Sequence, residues 1–370
     1  MRATRAIIHL DNLRRNIEKV RKTTGPYAKI CFPVKADAYG HGAVELSRFA
    51  LKSGVEYLAV ADIFEGAELR KAGITAPILL LSQALPEELP DIVSLQLIQV
   101  VSDQDYIEQA ERAAEKAGRK LTIHLMIDTG MKRLGCTPCD AVPLASKVIS
   151  SKWLIMGGTA THFSVAESQD PDDLAFTKQQ LRLFKTAIDS MKKAGLDPGL
   201  VHAANSGALF FHEDSFFDMI RPGSFLYGYS ESANPDLIPE PLMELCSTVV
   251  GMIKVKKGAA VSYGRTWTAQ QDTCIGVIPV GYADGLPRSL SNNHLVRIRG
   301  KSYPLVGRIC MDQCMVDLGP DPVVQRWDEV IIFGPYFLNA ADIAEKSNTA
   351  ISGITCNINK RVPRVYVETA

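Results

Sequence analysis

A lysine, a tyrosine and a histidine stand within one short stretch, Val34-Lys35-Ala36-Asp37-Ala38-Tyr39-Gly40-His41-Gly42. The apolar run from Ile30 to Val34 reads as a strand that delivers Lys35 to its carboxyl end, and Tyr39 to Gly42 read as the turn into a helix. A lysine flanked by apolar residues loses its proton more easily than an exposed one, because desolvation disfavours the ammonium form. The neutral amine can then form a Schiff base with an aldehyde. On its own such a lysine is usually a surface residue. This one has company, because Arg133, His162, Ser206 and Arg221 each follow an apolar run of their own.

Those runs set the expected architecture. Ile30 to Val34, Tyr57 to Ala61, Pro77 to Leu81, Leu97 to Val101, Leu121 to Ile127, Leu154 to Thr161, Leu200 to Ala204 and Phe217 to Ile220 alternate with amphipathic segments. Strands alternating with helices imply parallel pairing, and this number of units suggests an α/β protein with an N-terminal (β/α)8 TIM-like barrel. A doubly wound sheet is the other candidate, but no GxGxxG follows the first strand. Barrel active sites lie at strand carboxyl ends, so one face would collect the five residues named above. The stretch Ser230 to Pro241, rich in proline and polar residues, reads as a linker. Beyond it, Cys246 to Val255, Cys274 to Val280, His294 to Ile298, Leu305 to Asp317, Glu329 to Phe333 and Val362 to Val367 predict a C-terminal mainly-β domain. The expected division is 1–235 and 236–370, with the short strand at the amino terminus available to pair with the second domain.

Barrels often bind phosphate with the loops after their last two strands and a helix amino terminus. Here those loops read His202-Ala-Ala-Asn205-Ser206-Gly207 and Arg221-Pro222-Gly223-Ser224. Small residues let backbone amides approach an anion, and Ser206 adds a hydroxyl donor.

The stretch VKADAYGHG resembles the pyridoxal-phosphate signature of the alanine racemase family, and further motifs of that family recur in order over most of the chain. The resemblance implies that Lys35 carries pyridoxal 5'-phosphate, with Tyr39, Ser206, Gly223 and Ser224 at its phosphate. It implies that Arg221 faces the pyridine nitrogen. An arginine cannot accept a proton, so that nitrogen stays unprotonated and the ring is a weaker electron sink, which favours proton return over side reactions. Racemisation needs a base on each face of a planar carbon. By resemblance these are Lys35 and Tyr263, the latter in Val261-Ser262-Tyr263-Gly264-Arg265-Thr266, with His162 linking Tyr263 to Arg221. A tyrosine with pKa near ~10 is a poor base at neutral pH unless cations lower it. In the family it reaches across from a second subunit, so a homodimer with shared sites is expected. Tyr282, in Gly281-Tyr-Ala-Asp-Gly285, would line the substrate's way in. Met311, Asp312 and Arg133 would lie near the substrate carboxylate, which suits a guanidinium.

Three positions depart from the family pattern. Met126 replaces a lysine whose carbamate orients the arginine corresponding to Arg133, and Lys132 replaces a usual glycine. Ser352 stands where the family usually has a tyrosine that touches phosphate and narrows the substrate pocket.

The expected function is alanine racemisation, supplying D-alanine for the peptidoglycan of the cell wall. A serine or broad-specificity racemase is the alternative that Ser352 suggests. A decarboxylase is disfavoured by Arg221, and a pyridoxal-phosphate homeostasis protein usually comprises the barrel alone. Composition fits a small-molecule enzyme. Of 370 residues, 46% are hydrophobic and 22% charged, with 41 basic and 41 acidic side chains, so no net field recruits nucleic acid or anionic membrane. The opening MRATRAIIHLDNLRRNIEKV lacks a signal peptide's apolar segment, and no stretch nears the roughly 20 apolar residues that span a bilayer. A cytoplasmic location is expected. The eight cysteines read as reduced thiols, and the Cys136-x-x-Cys139 pair has no second pair to make a metal site.

Overall fold

The computed structural model describes residues 2–229 and 237–368. The expected boundary at 235/236 and most of the Ser230 to Pro241 linker lie outside those residues. Strand β1 (Arg5–His9) comes first, followed by a helix at Leu10–Thr24. Eight parallel strands then close a barrel: β2 (Lys29–Pro33), β3 (Tyr57–Val60), β4 (Ile78–Leu80), β5 (Ile98–Val101), β6 (Leu121–Met126), β7 (Leu154–Ala160), β8 (Leu200–His202) and β9 (Met219–Ile220). The pair Ile30 and Ile220 seals the ring between β2 and β9. Parallel barrel strands are covered on both faces, which is why they read as continuous apolar runs rather than alternating ones. Cys31, Ala59, Leu79, Val100, Met126, Ala160 and Met219 pack together inside the barrel. Phe32, Leu58 and Ile123 belong to the larger cluster beneath the helices.

Glycines open the interior at one place. The β6–β7 pairing shifts register between Ile123 and His124, opposite Gly157 and Gly158. A Cβ on Gly158 would come within 2.8 Å of the His124 ring, so this pair makes room for an imidazole inside the barrel.

The second region is strand-rich. Strands β10 (Met243–Thr248), β11 (Gly251–Val255), β12 (Ala260–Val261), β13 (Trp267–Thr268), β14 (Thr273–Ile278), β15 (Leu295–Ile298), β16 (Lys301–Pro304), β17 (Cys314–Asp317), β18 (Glu329–Phe333) and β19 (Arg364–Val367) form three sheets. The largest runs β16-β15-β18-β10-β1-β19. The chain's first strand thus lies in this sheet, antiparallel to β10 and parallel to β19.

Two expected strands come out differently. The run Cys246 to Val255 is two strands in different sheets, broken where Val249 exchanges hydrogen bonds with the Trp327-Asp328 segment. In the run Leu305 to Asp317 only Cys314–Asp317 is a strand. Gly307, at φ +72° and against Ser262, turns the chain, and residues 308–312 form a loop. Helices Ala340–Ser347 and Ile351–Cys356 also interrupt the β pattern, the former started by an Asn339 cap.

Candidate active site

Beyond β2, Val34 donates to the Ala59 carbonyl at 2.8 Å, which keeps the chain at the barrel rim. The single turn Lys35–Gly40 follows, and Ala36, Asp37, Ala38 and Tyr39 all have φ of 52–53°. A left-handed turn of non-glycine residues costs roughly 1–2 kcal/mol per residue and persists only where the surroundings over-determine it. Its far end is tied down by several groups. The Asp37 carboxylate accepts from Ala43 N–H at 2.8 Å, Arg364 donates to the Gly40 carbonyl at 2.9 Å, and Tyr366 donates to the His41 carbonyl at 3.2 Å. A Cβ on Gly40 would overlap the Thr355 carbonyl, and both Gly40 and Gly42 have positive φ. Lys35 is left half-buried. Burial pulls its amine below the ordinary lysine value and Arg133 adds to this, against the opposing pull of Glu65 and Cys356.

The two loops expected to bind phosphate lie beside it. Gly223 opens the short helix Gly223–Leu226, and a Cβ there would sit 3.3 Å from the Tyr39 hydroxyl and 3.6 Å from Pro33. Ser206 Oγ accepts from Phe225 N–H at 3.1 Å, which joins the two expected phosphate loops. The Tyr39 ring lies 4.6 Å from that of Tyr227, and burial raises its hydroxyl to about 12, so the phenol stays a hydrogen-bond donor. Ser224 stands between these residues in the same turn. Small residues, hydroxyl donors and backbone amides are what a phosphate requires.

The floor of the site is a buried cation without a carboxylate. Arg221 donates to the carbonyls of Thr161 at 2.7 Å and Ala203 at 3.1 Å, and approaches His162 Nδ1 at 3.3 Å and His202 Nδ1 at 2.5 Å. His202 Nε2 in turn meets His124 Nδ1 at 2.9 Å. Among the described residues no carboxylate pairs with Arg221. Burial lowers its guanidinium to about 10, leaving it charged at neutral pH. An unpaired buried cation is costly, so this pocket suits an electron-rich ring atom that accepts a hydrogen bond. His124 and His202 were missed as site residues. The available signal was their position on barrel strands, His124 two residues before the inward-facing Met126.

Burial and the Arg221 charge push His124 and His162 to about 3, and His202 is likewise lowered. The folded protein therefore refuses protons that the unfolded chain accepts below the ordinary histidine value of 6.5. The associated stability is intact above that value and is lost as pH falls toward about 3. Calorimetry should give a melting temperature roughly 5 °C lower at pH 5 than at pH 7. A flat profile over that interval would contradict neutral buried imidazoles.

Met126 is buried in the apolar interior layer beside Leu134. Lys132 adopts φ 55° where the family usually has glycine, and its N–H donates to Asp128 at 3.1 Å. Arg133 is exposed, and its charge is felt at Lys35, His162 and Arg221. The barrel mouth thus brings together Lys35, Tyr39, Arg133, His162, Ser206, Arg221, Gly223 and Ser224.

The other expected residues gather elsewhere. Tyr263 lies on the β12–β13 connection, 69% exposed, and Tyr282 and Met311 are 43% and 54% exposed. Ser262 donates to the Arg308 carbonyl at 2.6 Å, and Tyr282 N–H donates to the Cys310 carbonyl at 3.1 Å. These bonds hold Tyr263, Tyr282, Met311 and Asp312 in one surface cluster, in which Asp312 pairs with Arg361 at 2.8 Å. Among the described residues no hydrogen bond or ion pair joins this cluster to Lys35, His162 or Arg221. Also among the described residues, no helix is long and apolar enough to cross a membrane, and no group of three or more metal-ligating side chains forms.

The model of the alanine racemase N-terminal domain matches residues 8–231, and that of the alanine racemase C-terminal domain matches residues 242–366. An alanine racemase of Treponema denticola is 49% identical over 376 residues, covering 100% of this chain and 99% of the relative. The structure of an alanine racemase from Clostridium difficile 630 superimposes with a TM-score of 0.93 at 35% identity, covering 100% of this chain and 96% of that one. An alanine racemase from Bacillus anthracis, solved with bound L-Ala-P, gives a TM-score of 0.90 at 30% identity, covering 99% and 95%.

Proposed function

The chain belongs to the alanine racemase family, and from that premise we propose that it interconverts L- and D-alanine with pyridoxal 5'-phosphate bound at Lys35. The observation that carries this reading is the pairing of a half-buried lysine of lowered pKa with a buried arginine that lacks a carboxylate, at one barrel mouth. When bound, the cofactor withdraws electrons from the α-carbon of the amino acid and makes its proton removable.

The protein's own groups do the rest. Tyr39, Ser206, Gly223 and Ser224 would hold the phosphate, and Arg221, fixed by His162, His202 and two carbonyls, would donate to the ring nitrogen without protonating it. The Lys35 amine takes or returns the α-proton on one face. Tyr263 does the same on the other, supplied by a second copy of the chain in a homodimer, because its exposure in one chain leaves it free to reach a neighbour's barrel. Arg133 and the Met311-Asp312 segment receive the substrate carboxylate, and Tyr282 lines the way in. We place the enzyme in the cytoplasm, where its D-alanine feeds cell-wall peptidoglycan.

Ser352 favours a second reading within the same chemistry. It lies half-buried on the helix Ile351–Cys356, whose Thr355 carbonyl touches Gly40 of the Lys35 turn. A serine there leaves room and a hydroxyl for a larger polar substrate. The test is α-deuterium uptake from heavy water into a panel of L-amino acids, with the chirality of each product resolved. Exchange with inversion of alanine supports the main reading, and no exchange with any substrate refutes it. If serine is also inverted, Ser352→Tyr should depress serine turnover relative to alanine by about tenfold. Equal loss for both would remove Ser352 from the specificity argument.

A further inference from the structure

The near end of the left-handed turn, where Lys35 itself sits, is held by a residue that the reading above does not use. Asp62 caps the helix Ile63–Lys71 by accepting from Glu65 N–H at 3.0 Å. One oxygen of the Glu65 carboxylate then accepts from Ala36 N–H at 2.6 Å and the other from Ala61 N–H at 2.7 Å. A single carboxylate therefore bridges the residue after Lys35 to the residue after β3. Ala36 is also the first of the four consecutive non-glycine positions with positive φ. Ala36 is exposed, so it is Glu65 rather than solvent that fixes its amide, in a backbone that the chain does not adopt by preference. Asp37, Arg364 and Tyr366 act only at the other end of the turn.

We propose that Glu65 is a positioning residue for Lys35: its two-pronged bridge fixes the junction between β2 and the left-handed turn and so sets where the lysine amine points. The inference rests on the reading of Lys35 as the cofactor-bearing amine. The charged and titratable groups that face the amine come from four separate elements, one of them the segment after β7, whose His162 is held neutral partly by the lysine's own charge. Arg133, from the loop after β6, opposes its protonation, and Glu65, from the helix after β3, and Cys356, from the C-terminal helix, favour it. Removing the Glu65 charge leaves Arg133 less opposed, so the Lys35 nitrogen, free or linked to the cofactor, should titrate at lower pH.

Glu65→Gln is nearly isosteric but removes the charge and turns one acceptor into a donor, so one of the two amides loses its partner. Glu65→Asp keeps the charge and shortens the reach. Full-length wild type and both variants, loaded with pyridoxal phosphate, are compared in three ways. Borohydride reduction with peptide mapping locates the adduct, a spectrophotometric titration follows the cofactor band with pH, and amide exchange reports on residues 36 and 61. In Glu65→Gln the titration should move to lower pH, and exchange at one of the two amides should quicken by roughly tenfold. Glu65→Asp should quicken exchange while moving the titration less. A variant that only melts earlier, with titration and local exchange as in wild type, overturns the positioning role. If the wild-type adduct maps to a lysine other than Lys35, it is the cofactor assignment that fails, and the exchange result still tests the bridge.

Discussion

Lys35→Ala protein saturated with pyridoxal phosphate should show no borohydride-fixed adduct and should lose α-proton exchange by at least about 10⁴-fold. Two contributions disappear together in this variant. The covalent tether goes, so the cofactor is held only through the phosphate cradle and Arg221. The proton carrier on one face goes as well. Stability should change little, because Lys35 is half-buried and, among the described residues, its side chain makes no hydrogen bond that its removal would leave unmatched on a neighbour. Peptide mapping after reduction, beside a thermal melt, separates these effects. An adduct that persists on another lysine would overturn the central assignment.

The second large effect concerns the divided site. Tyr263→Phe alone should reduce exchange by roughly 10²–10⁴-fold, since it removes the proton carrier of the opposite face. Mixing Lys35→Ala and Tyr263→Phe proteins, each nearly inactive, should then restore activity. If each site takes Lys35 from one copy and Tyr263 from the other, a mixed dimer holds one doubly altered site and one intact site. Random exchange of subunits makes half of all dimers mixed, so recovery should approach about a quarter of the wild-type rate. No recovery, with mixed dimers demonstrated by mass spectrometry, would mean that each chain builds its site alone.

Much of this organisation was legible in the residues. The barrel strands could be read because parallel strands covered on both faces produce unbroken apolar runs such as Leu121 to Ile127. That Lys35 and the loops after the last two barrel strands would meet at one mouth could be read because each follows an apolar run. What escaped notice had physical reasons. His124 and His202 look like ordinary strand residues until the barrel closes and stacks them beneath Arg221. The left-handed turn is invisible in Ala36-Asp-Ala-Tyr39, whose local preference is for the opposite hand. It is imposed from outside by Glu65 and Arg364 and held by the bond of the Asp37 carboxylate to Ala43 N–H. In the C-terminal region the run Leu305 to Asp317 misled because its apolar content serves a loop packed on Ser262 and Gly281, not a continuous strand.

The place of β1 in the largest sheet also governs the order in which this protein can be born. Arg5 must wait for Cys246 and Ala6 for Arg364 before either edge of that first strand is paired. During synthesis the barrel segments emerge and can close while β1 still has both edges bare. Such late, long-range pairing is slow and leaves an edge open to other chains. β19, which covers β1, therefore emerges long after it, and Arg364, which opens β19, also grips the Gly40 carbonyl of the Lys35 turn. Formation of β19 and the tying down of the far end of the turn are therefore coupled, so a product truncated before Arg364 would keep the Glu65 bridge beside Lys35 but lose the Arg364 and Tyr366 ties.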